Sequence, residues 1–136
     1  MNTFIIASHS TFAEGLYNCL KFFKFDIDNV YYINAYVDDM EFEKSFIELV
    51  EKLRDKNLIV LTDMPGGSVN VVCLQLMKKY QYHLISGVNF PLVLELIFQN
   101  EQIDSDVIRS LIETGRQQMV YMNDLQADET EDNDEL

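Results

Sequence analysis

The segment Phe4-Ile5-Ile6-Ala7-Ser8-His9-Ser10-Thr11 decides the fold class, because a continuous apolar run ends there in a polar cluster directly before a helical pattern. Similar short runs recur at residues 30–33, 58–61 and 83–86. Continuous apolar runs of this length are typical of parallel strands that are covered on both faces. Their alternation with helical patterns predicts βαβ units, and hence an open, mainly parallel α/β sheet with helices on both faces.

Amphipathic patterns predict a helix after each of these strands and one more near the end of the chain. Their starts lie near Thr11, near Phe42, near Ser68, at Pro91 and after Ser105. Thr11 and Glu14 have the spacing of a capping box at the first helix, and the fifth helix is expected to stop near Gly115. The apolar run 119–122 predicts a short fifth strand at a sheet edge. We expect the first four strands in the order 2-1-3-4.

The composition indicates one globular domain with a separate acidic end. The 136 residues carry 10 Lys and Arg against 23 Asp and Glu, a net charge of −13, and 48% of the residues are hydrophobic. Residues 124–136 combine many acids with almost no apolar side chains. We therefore predict a domain over 1–123 and a disordered tail over 124–136. An acidic body also argues against nucleic-acid binding, which depends on Lys and Arg.

Several other classes of protein are disfavoured. Cys19 and Cys73 have neither CxxC spacing nor a secretory context, so neither a disulfide framework nor a zinc site is indicated. The segment after Met1 lacks the basic region of a signal peptide, and the apolar runs are far shorter than the ~20 residues that a bilayer requires. A cytoplasmic protein is expected.

Polar residues follow the first and third predicted strands. His9 ends the first, and the loop Asp63-Met64-Pro65-Gly66-Gly67-Ser68 follows the third. In the expected order these strands are neighbours about 4.8 Å apart, so His9 and Asp63 should converge at their carboxyl ends. An imidazole held by a carboxylate through one nitrogen presents the lone pair of the other nitrogen, which is the arrangement of a nucleophile.

The predicted surroundings of His9 favour an anion. Two helix N-termini and the Gly66-Gly67 turn supply N–H groups and positive dipole ends, so we predict that His9 accepts a phosphoryl group. Neither GxxxxGK nor GxGxxG occurs, so no nucleotide cofactor is expected and the phosphoryl group must come from another protein or a small donor. His83 lies near the start of the fourth strand and is interpreted as structural, and no metal site is predicted.

Three segments resemble the IIA component of the mannose-type (mannose–fructose–sorbose) sugar phosphotransferase system. Residues 5–10 are similar to its active-site histidine segment, 61–68 to its D-x-x-G-G-S-P loop, and 86–95 to its G-V-N-x-P segment. The resemblance covers about residues 3–122. This chain differs in having Ser10 after the histidine and Val69 in place of the loop proline, while Pro65 lies two residues after Asp63.

The resemblance implies a phosphocarrier. His9 would accept a phosphoryl group on Nε2 from the phosphocarrier protein HPr and pass it to a histidine of a separate IIB subunit during sugar uptake. The membrane subunits IIC and IID would be reached only indirectly. It also implies a homodimer that exchanges an antiparallel edge strand, which residues 119–122 fit. Asp63 would orient the imidazole. Ser68 and the adjacent backbone amides would steady the phosphoryl group. Together with the helix starts and the glycine turn described above, the predicted phosphate-binding residues are Ser10, Thr11, Gly66, Gly67 and Ser68.

Two alternatives remain at this point. Relatives of the same family donate phosphoryl groups to a dihydroxyacetone kinase system or act as regulators, and the sequence does not distinguish these clients. A receiver domain with Asp63 as acceptor is disfavoured, because the first strand ends without the acidic pair that would hold Mg²⁺. A late lysine is also missing after Lys79.

Overall fold

The sheet is built from four parallel strands, as the apolar runs predict. The computed structural model describes residues 1–129. The strands are β1 (Asn2–His9), β2 (Val30–Ala35), β3 (Asn57–Thr62) and β4 (His83–Ser86). They lie in the order β2-β1-β3-β4 with every pair parallel, which confirms the expected order. The order reverses between β1 and β3, so the carboxyl ends of these two strands flank the switch point of the sheet.

Helices cover both faces of the sheet. They are α1 (Phe12–Leu20), α2 (Phe42–Lys52), α3 (Ser68–Leu76), α4 (Phe90–Ile97) and α5 (Ser105–Gln117). Helix α6 (Met122–Glu129) follows α5, and its apolar side chains Met122 and Leu125 are exposed. Phe4 and Ile6 of β1 pack with α1, α4 and α5, whereas Ile5 and Ala7 pack with α2 and α3. Burial on both faces explains the uninterrupted apolar runs. Within residues 1–129, no helix combines the length and apolar character that a membrane crossing requires.

The strand expected over residues 119–122 is not formed, and that prediction is wrong for the single chain. The N–H groups of Gln118 and Met119 donate to the carbonyls of Gly115 and Arg116, so the chain continues in a turn. Helix α6 then begins at Met122. A strand needs a neighbouring backbone to bond with, and here the last carbonyls of α5 take those amides instead.

The boundary between domain and acidic tail stays a prediction. Helix α6 includes residues 124–129, so the first part of the predicted tail is helical in the structure. Residues 130–136, which make up the rest of the predicted tail, lie outside the described residues.

The capping box predicted at α1 is also absent, and that prediction is wrong. Thr11 caps no amide with its side chain. The Ala13 N–H donates to Ser8 Oγ at 2.7 Å, and the Glu14 N–H donates to Asn34 Oδ1 at 3.2 Å. The Asn34 side chain in turn donates to Glu14 Oε1 at 2.9 Å. Side chains from two strands therefore satisfy the first turn of α1, a tertiary solution that local spacing does not reveal.

A polar network closes the amino-terminal end of the sheet. Asn2 is buried, and its Oδ1 accepts hydrogen bonds from Asn57 Nδ2 and from the Ile103 N–H, both at 2.9 Å. Asn2 Nδ2 donates to the Glu101 carbonyl at 2.8 Å, and Asn57 Nδ2 to the Ile103 carbonyl at 2.9 Å. The network fixes the loop before α5 against the sheet.

We predict that Asn2→Ala lowers the free energy of unfolding by about 1–3 kcal/mol, because it leaves the buried Ile103 N–H without its acceptor. Urea denaturation of the variant and the wild type measures the loss. Asn100→Ala, a substitution at an exposed residue of the same loop region, serves as the control and should change stability by less than ~0.5 kcal/mol. Equal losses for the two variants would contradict a structural role for the network.

Candidate functional site

His9 and Asp63 meet where β1 and β3 stop pairing. The last pair of this ladder is Ala7 with Thr62, so the His9 N–H lies beyond it. That N–H donates to Asp63 Oδ2 at 2.9 Å, and His9 Nδ1 lies 2.8 Å from the same oxygen. One carboxylate oxygen therefore continues the strand ladder and holds the imidazole at the same time. The convergence expected from the strand order is present.

The Asp63 carboxylate is ionised in this setting. Its side chain is only 15% exposed, and its other oxygen accepts the Met64 N–H at 3.0 Å. Burial raises the pKa of Asp63, but the hydrogen bonds from the His9 backbone and ring and the charge of His9 together lower it, and the net pKa lies below its ordinary value of 3.8. An ionised carboxylate only accepts hydrogen bonds, so a neutral His9 carries its proton on Nδ1.

The second ring nitrogen of His9 faces the start of α3. Nε2 lies 3.1 Å from Ser68 Oγ, and the His9 side chain is 37% exposed. Gly67 occupies the N-cap position, which leaves the Ser68 hydroxyl free to point at His9. The first hydrogen bond of α3 runs from the Val71 N–H to the Gly67 carbonyl, so the amides before Val71 have no acceptor within the helix. Nε2 thus presents its lone pair beside a hydroxyl and a helix N-terminus.

Tyr36 belongs to the site and was missed by sequence reasoning. Its hydroxyl lies 2.7 Å from Ser68 Oγ, and its ring centroid is 5.5 Å from that of His9. The sequence contains a signal for this residue, because Tyr36 lies shortly after the second predicted strand. In the structure it directly follows Ala35, the last residue of β2, which pairs with His9. Carboxyl ends of neighbouring parallel strands lie at the same edge, so the residue after each of these strands is a candidate.

The two loop glycines have different roles. Gly66 has φ +79°, a conformation that glycine adopts without strain. Gly67 lies against the histidine: a Cβ there would come within 3.0 Å of His9 Cε1 and 2.9 Å of Met64 Cγ. Only glycine at position 67 lets the loop approach the imidazole this closely.

The remaining residues singled out from the sequence surround this centre. The Ser10 N–H donates to the Ala35 carbonyl at 2.8 Å, so only the hydroxyl of Ser10 is available to a ligand. Thr11 is exposed at the start of α1. Of the two departures from the family pattern in this loop, Val69 is fully buried and packs in the core, whereas Pro65 is exposed beside Gly87. His83 pairs with Ile59 at the start of β4, far from His9 along the strands.

The resemblance to the mannose-type IIA component of sugar phosphotransferase systems (PTS) implies an open, parallel α/β sheet with a histidine held by a carboxylate, and the structure has this arrangement at the switch point. The chain belongs to the EIIA-man family: the family model described as "PTS system fructose IIA component" matches residues 3–112. The chain is thus a PTS IIA component, and PTS IIA components are phosphotransferases in the general sense. This membership rules out the receiver domain considered above.

Solved structures share the fold. A Klebsiella pneumoniae protein described as a candidate permease of the phosphoenolpyruvate-dependent sugar PTS is 29% identical, with a TM-score of 0.82 over 90% of this chain and 91% of that one. A Streptococcus pneumoniae PTS IIA protein associated with the fucose utilization operon is 26% identical, with a TM-score of 0.78 over 92% and 96%. Component EIIA from Streptococcus agalactiae is 23% identical, with a TM-score of 0.79 over 90% and 98%. No match was found among curated proteins.

The lowered pKa of Asp63 predicts an acid-sensitive contribution to stability. A carboxyl with a depressed folded pKa stabilises the fold above its unfolded value, here about 3.8, and loses that contribution as the pH falls through the folded pKa. The free energy of unfolding of Asp63→Asn should therefore fall less steeply below pH 4 than that of the wild type. Denaturant titrations at successive pH values measure it. Asp39→Asn, at an exposed loop carboxylate, is the control, and wild-type acid dependence in Asp63→Asn would refute the assignment.

Gly67→Ala is expected to displace the His9 ring slightly while leaving the fold intact, because the backbone at Gly67 (φ −68°, ψ 156°) suits alanine but the added Cβ would lie only 3.0 Å from Cε1. The nuclear magnetic resonance signals of the His9 ring should shift relative to the wild type. Gly15→Ala is the control, since nothing lies within 4 Å of a Cβ added there. Unchanged His9 signals in Gly67→Ala would show that the close approach does not constrain the imidazole.

Proposed function

We propose that this PTS IIA component is a cytoplasmic phosphocarrier that accepts a phosphoryl group from phospho-HPr on His9 Nε2. The group then passes to a histidine of a separate IIB subunit during sugar uptake. The observation that carries the proposal is the orientation of the imidazole: Asp63 holds Nδ1 at 2.8 Å, and Nε2 faces Ser68 at 3.1 Å with the ring partly exposed. This leaves the nucleophilic lone pair at the surface, where a partner protein can reach it.

Transfer is an in-line displacement between two imidazoles. The Nε2 lone pair of His9 forms the new N–P bond while the N–P bond of the donor histidine breaks, and the electron pair of that bond returns to the donor nitrogen. The proton of His9 stays on Nδ1, so the phosphorylated ring gains positive charge. Asp63, whose pKa lies below its ordinary value, remains ionised beside this ring and stabilises the charge. Catalysis comes from positioning and electrostatics.

The phosphoryl oxygens would be bound by donors of the two helix starts. Ser68 supplies a hydroxyl next to Nε2, and the first amides of α3 supply N–H groups and the positive end of the helix dipole. We also assign the hydroxyls of Ser10 and Thr11 and the turn at Gly66 and Gly67 to this pocket. The reaction so described requires neither a metal nor a cofactor.

The surface around His9 suits brief contacts with partner proteins. Exposed apolar side chains at Tyr36, Val37 and Met64 lie at the edge where the strands end. Apolar contacts beside an acidic body fit a transient encounter with a partner that has a basic face. We assign this surface to HPr and IIB in turn, so that the membrane subunits IIC and IID are contacted only through IIB.

The homodimer implied by the family resemblance stays part of the proposal. β4 is an edge strand of the sheet. The apolar side chains of Met119, Val120, Tyr121 and Met122 are exposed in the single chain. A second copy would cover this segment, and pairing with a partner strand would supply the neighbouring backbone that the single chain lacks.

The proposal is tested by incubating the protein with enzyme I, HPr and phosphoenolpyruvate and measuring intact mass. We expect one phosphoryl group that is labile in acid and stable in base, as a phosphorylated imidazole is. His9→Ala should abolish the label. His83→Ala provides the matched control, because it removes the other histidine from the far end of the sheet and should leave the label intact.

Two results would overturn the proposal. One is the absence of label on the wild type when a known IIA component is labelled in the same mixture. The other is a label that persists in His9→Ala.

A further inference from the structure

Four groups at the site form one continuous hydrogen-bond chain. Tyr36 Oη lies 2.7 Å from Ser68 Oγ, Ser68 Oγ lies 3.1 Å from His9 Nε2, and His9 Nδ1 lies 2.8 Å from Asp63 Oδ2. The chain connects the ends of β1, β2 and β3 with the start of α3. Tyr36 is the outermost member.

The direction of every bond in this chain follows from the ionised carboxylate. Asp63 only accepts, so His9 Nδ1 donates and Nε2 is left with a lone pair. The Ser68 hydroxyl must then donate its single hydrogen to Nε2. Because that hydrogen is used, the Tyr36 hydroxyl is the donor to Ser68 Oγ. All the hydrogens therefore point from Tyr36 towards Asp63.

We propose that Tyr36 is a positioning residue for phosphoryl transfer, acting through Ser68. This inference rests on the proposed function. The Tyr36 hydroxyl holds the Ser68 oxygen in place by donating to it. The Ser68 hydrogen stays free to turn from Nε2 to an oxygen of the arriving phosphoryl group, while Ser68 itself does not move. The covalent step is unchanged, since no bond to Tyr36 forms or breaks.

The backbone at Tyr36 supports a role beyond packing. Tyr36 has φ +68°, a conformation that is strained for a residue with a Cβ. The side chain is 59% exposed, so burial of the ring does not account for keeping it there. What the strained conformation achieves is the placement of the ring beside the His9 ring and of the hydroxyl on Ser68.

The test compares Tyr36→Phe, Ser68→Ala and the double variant in phosphoryl transfer from phospho-HPr. Tyr36→Phe keeps the ring and removes only the hydroxyl. Because the side chain is exposed, the variant should keep the melting temperature of the wild type, which a melting curve checks. We expect kcat to fall about 3- to 10-fold, the factor that one hydrogen bond between neutral groups usually contributes, with KM for HPr nearly unchanged. The phosphorylated form should also hydrolyse faster than that of the wild type.

The double variant tests whether Tyr36 acts through Ser68. Because Tyr36 acts through Ser68, the Tyr36→Phe change should have no further effect in a Ser68→Ala background. Tyr32→Phe is the control: this tyrosine lies on β2, with its ring against Tyr17, and its substitution should leave the rates at wild-type values.

Several outcomes would overturn the inference. They are wild-type kcat and hydrolysis rate in Tyr36→Phe, a KM effect without a kcat effect, or losses that multiply in the double variant. Failure of the proposed function has a different signature, since the wild type itself would then not be labelled. In that event the ¹⁵N resonance of His9 Nε2 tests whether Tyr36 holds Ser68 in place. If it does, the resonance in Tyr36→Phe should move towards that of a nitrogen without a hydrogen bond. A resonance at the wild-type position would refute the proposed hydrogen-bond chain.

Discussion

The rest of the site depends on one oxygen of Asp63, which accepts hydrogen bonds from both the backbone N–H and the ring Nδ1–H of His9. The backbone bond continues the β1–β3 ladder one step past its last pair, and the ring bond fixes which nitrogen holds the proton. The position of the histidine and the tautomer of its neutral ring thus depend on the same atom. Ser68 and Tyr36 can be placed usefully only because the direction of Nε2 is settled by this contact.

The sequence predicts the architecture of the sheet well, because parallel strands buried on both faces have a distinctive pattern. The four apolar runs, their order and the meeting of His9 with Asp63 all follow from that pattern and from the geometry of a switch point. The glycine that lies against the imidazole also stands in the expected loop, although its contact with His9 Cε1 is visible only in the structure.

What the sequence does not reveal depends on tertiary partners. Thr11 and Glu14 have the spacing of a capping box, yet the first amides of α1 donate to side chains of two strands instead. The Ala13 N–H donates to Ser8, and the Glu14 N–H donates to Asn34. The run 119–122 has strand-like composition but follows the last turn of α5 without a backbone to pair with. Tyr36 is separated from Ser68 by 32 positions, and only the folded sheet brings their hydroxyls together.

The central position of β1 affects when the sheet can assemble during synthesis of the chain. During synthesis β1 emerges first, but its two neighbours are completed only when residues 35 and 62 have followed. Until then the side chains of Phe4, Ile5 and Ile6, almost fully buried in the finished sheet, lack their cover. The central strand of the sheet is therefore completed only after both of its neighbours have been synthesised, and its apolar side chains stay exposed in the nascent protein until then.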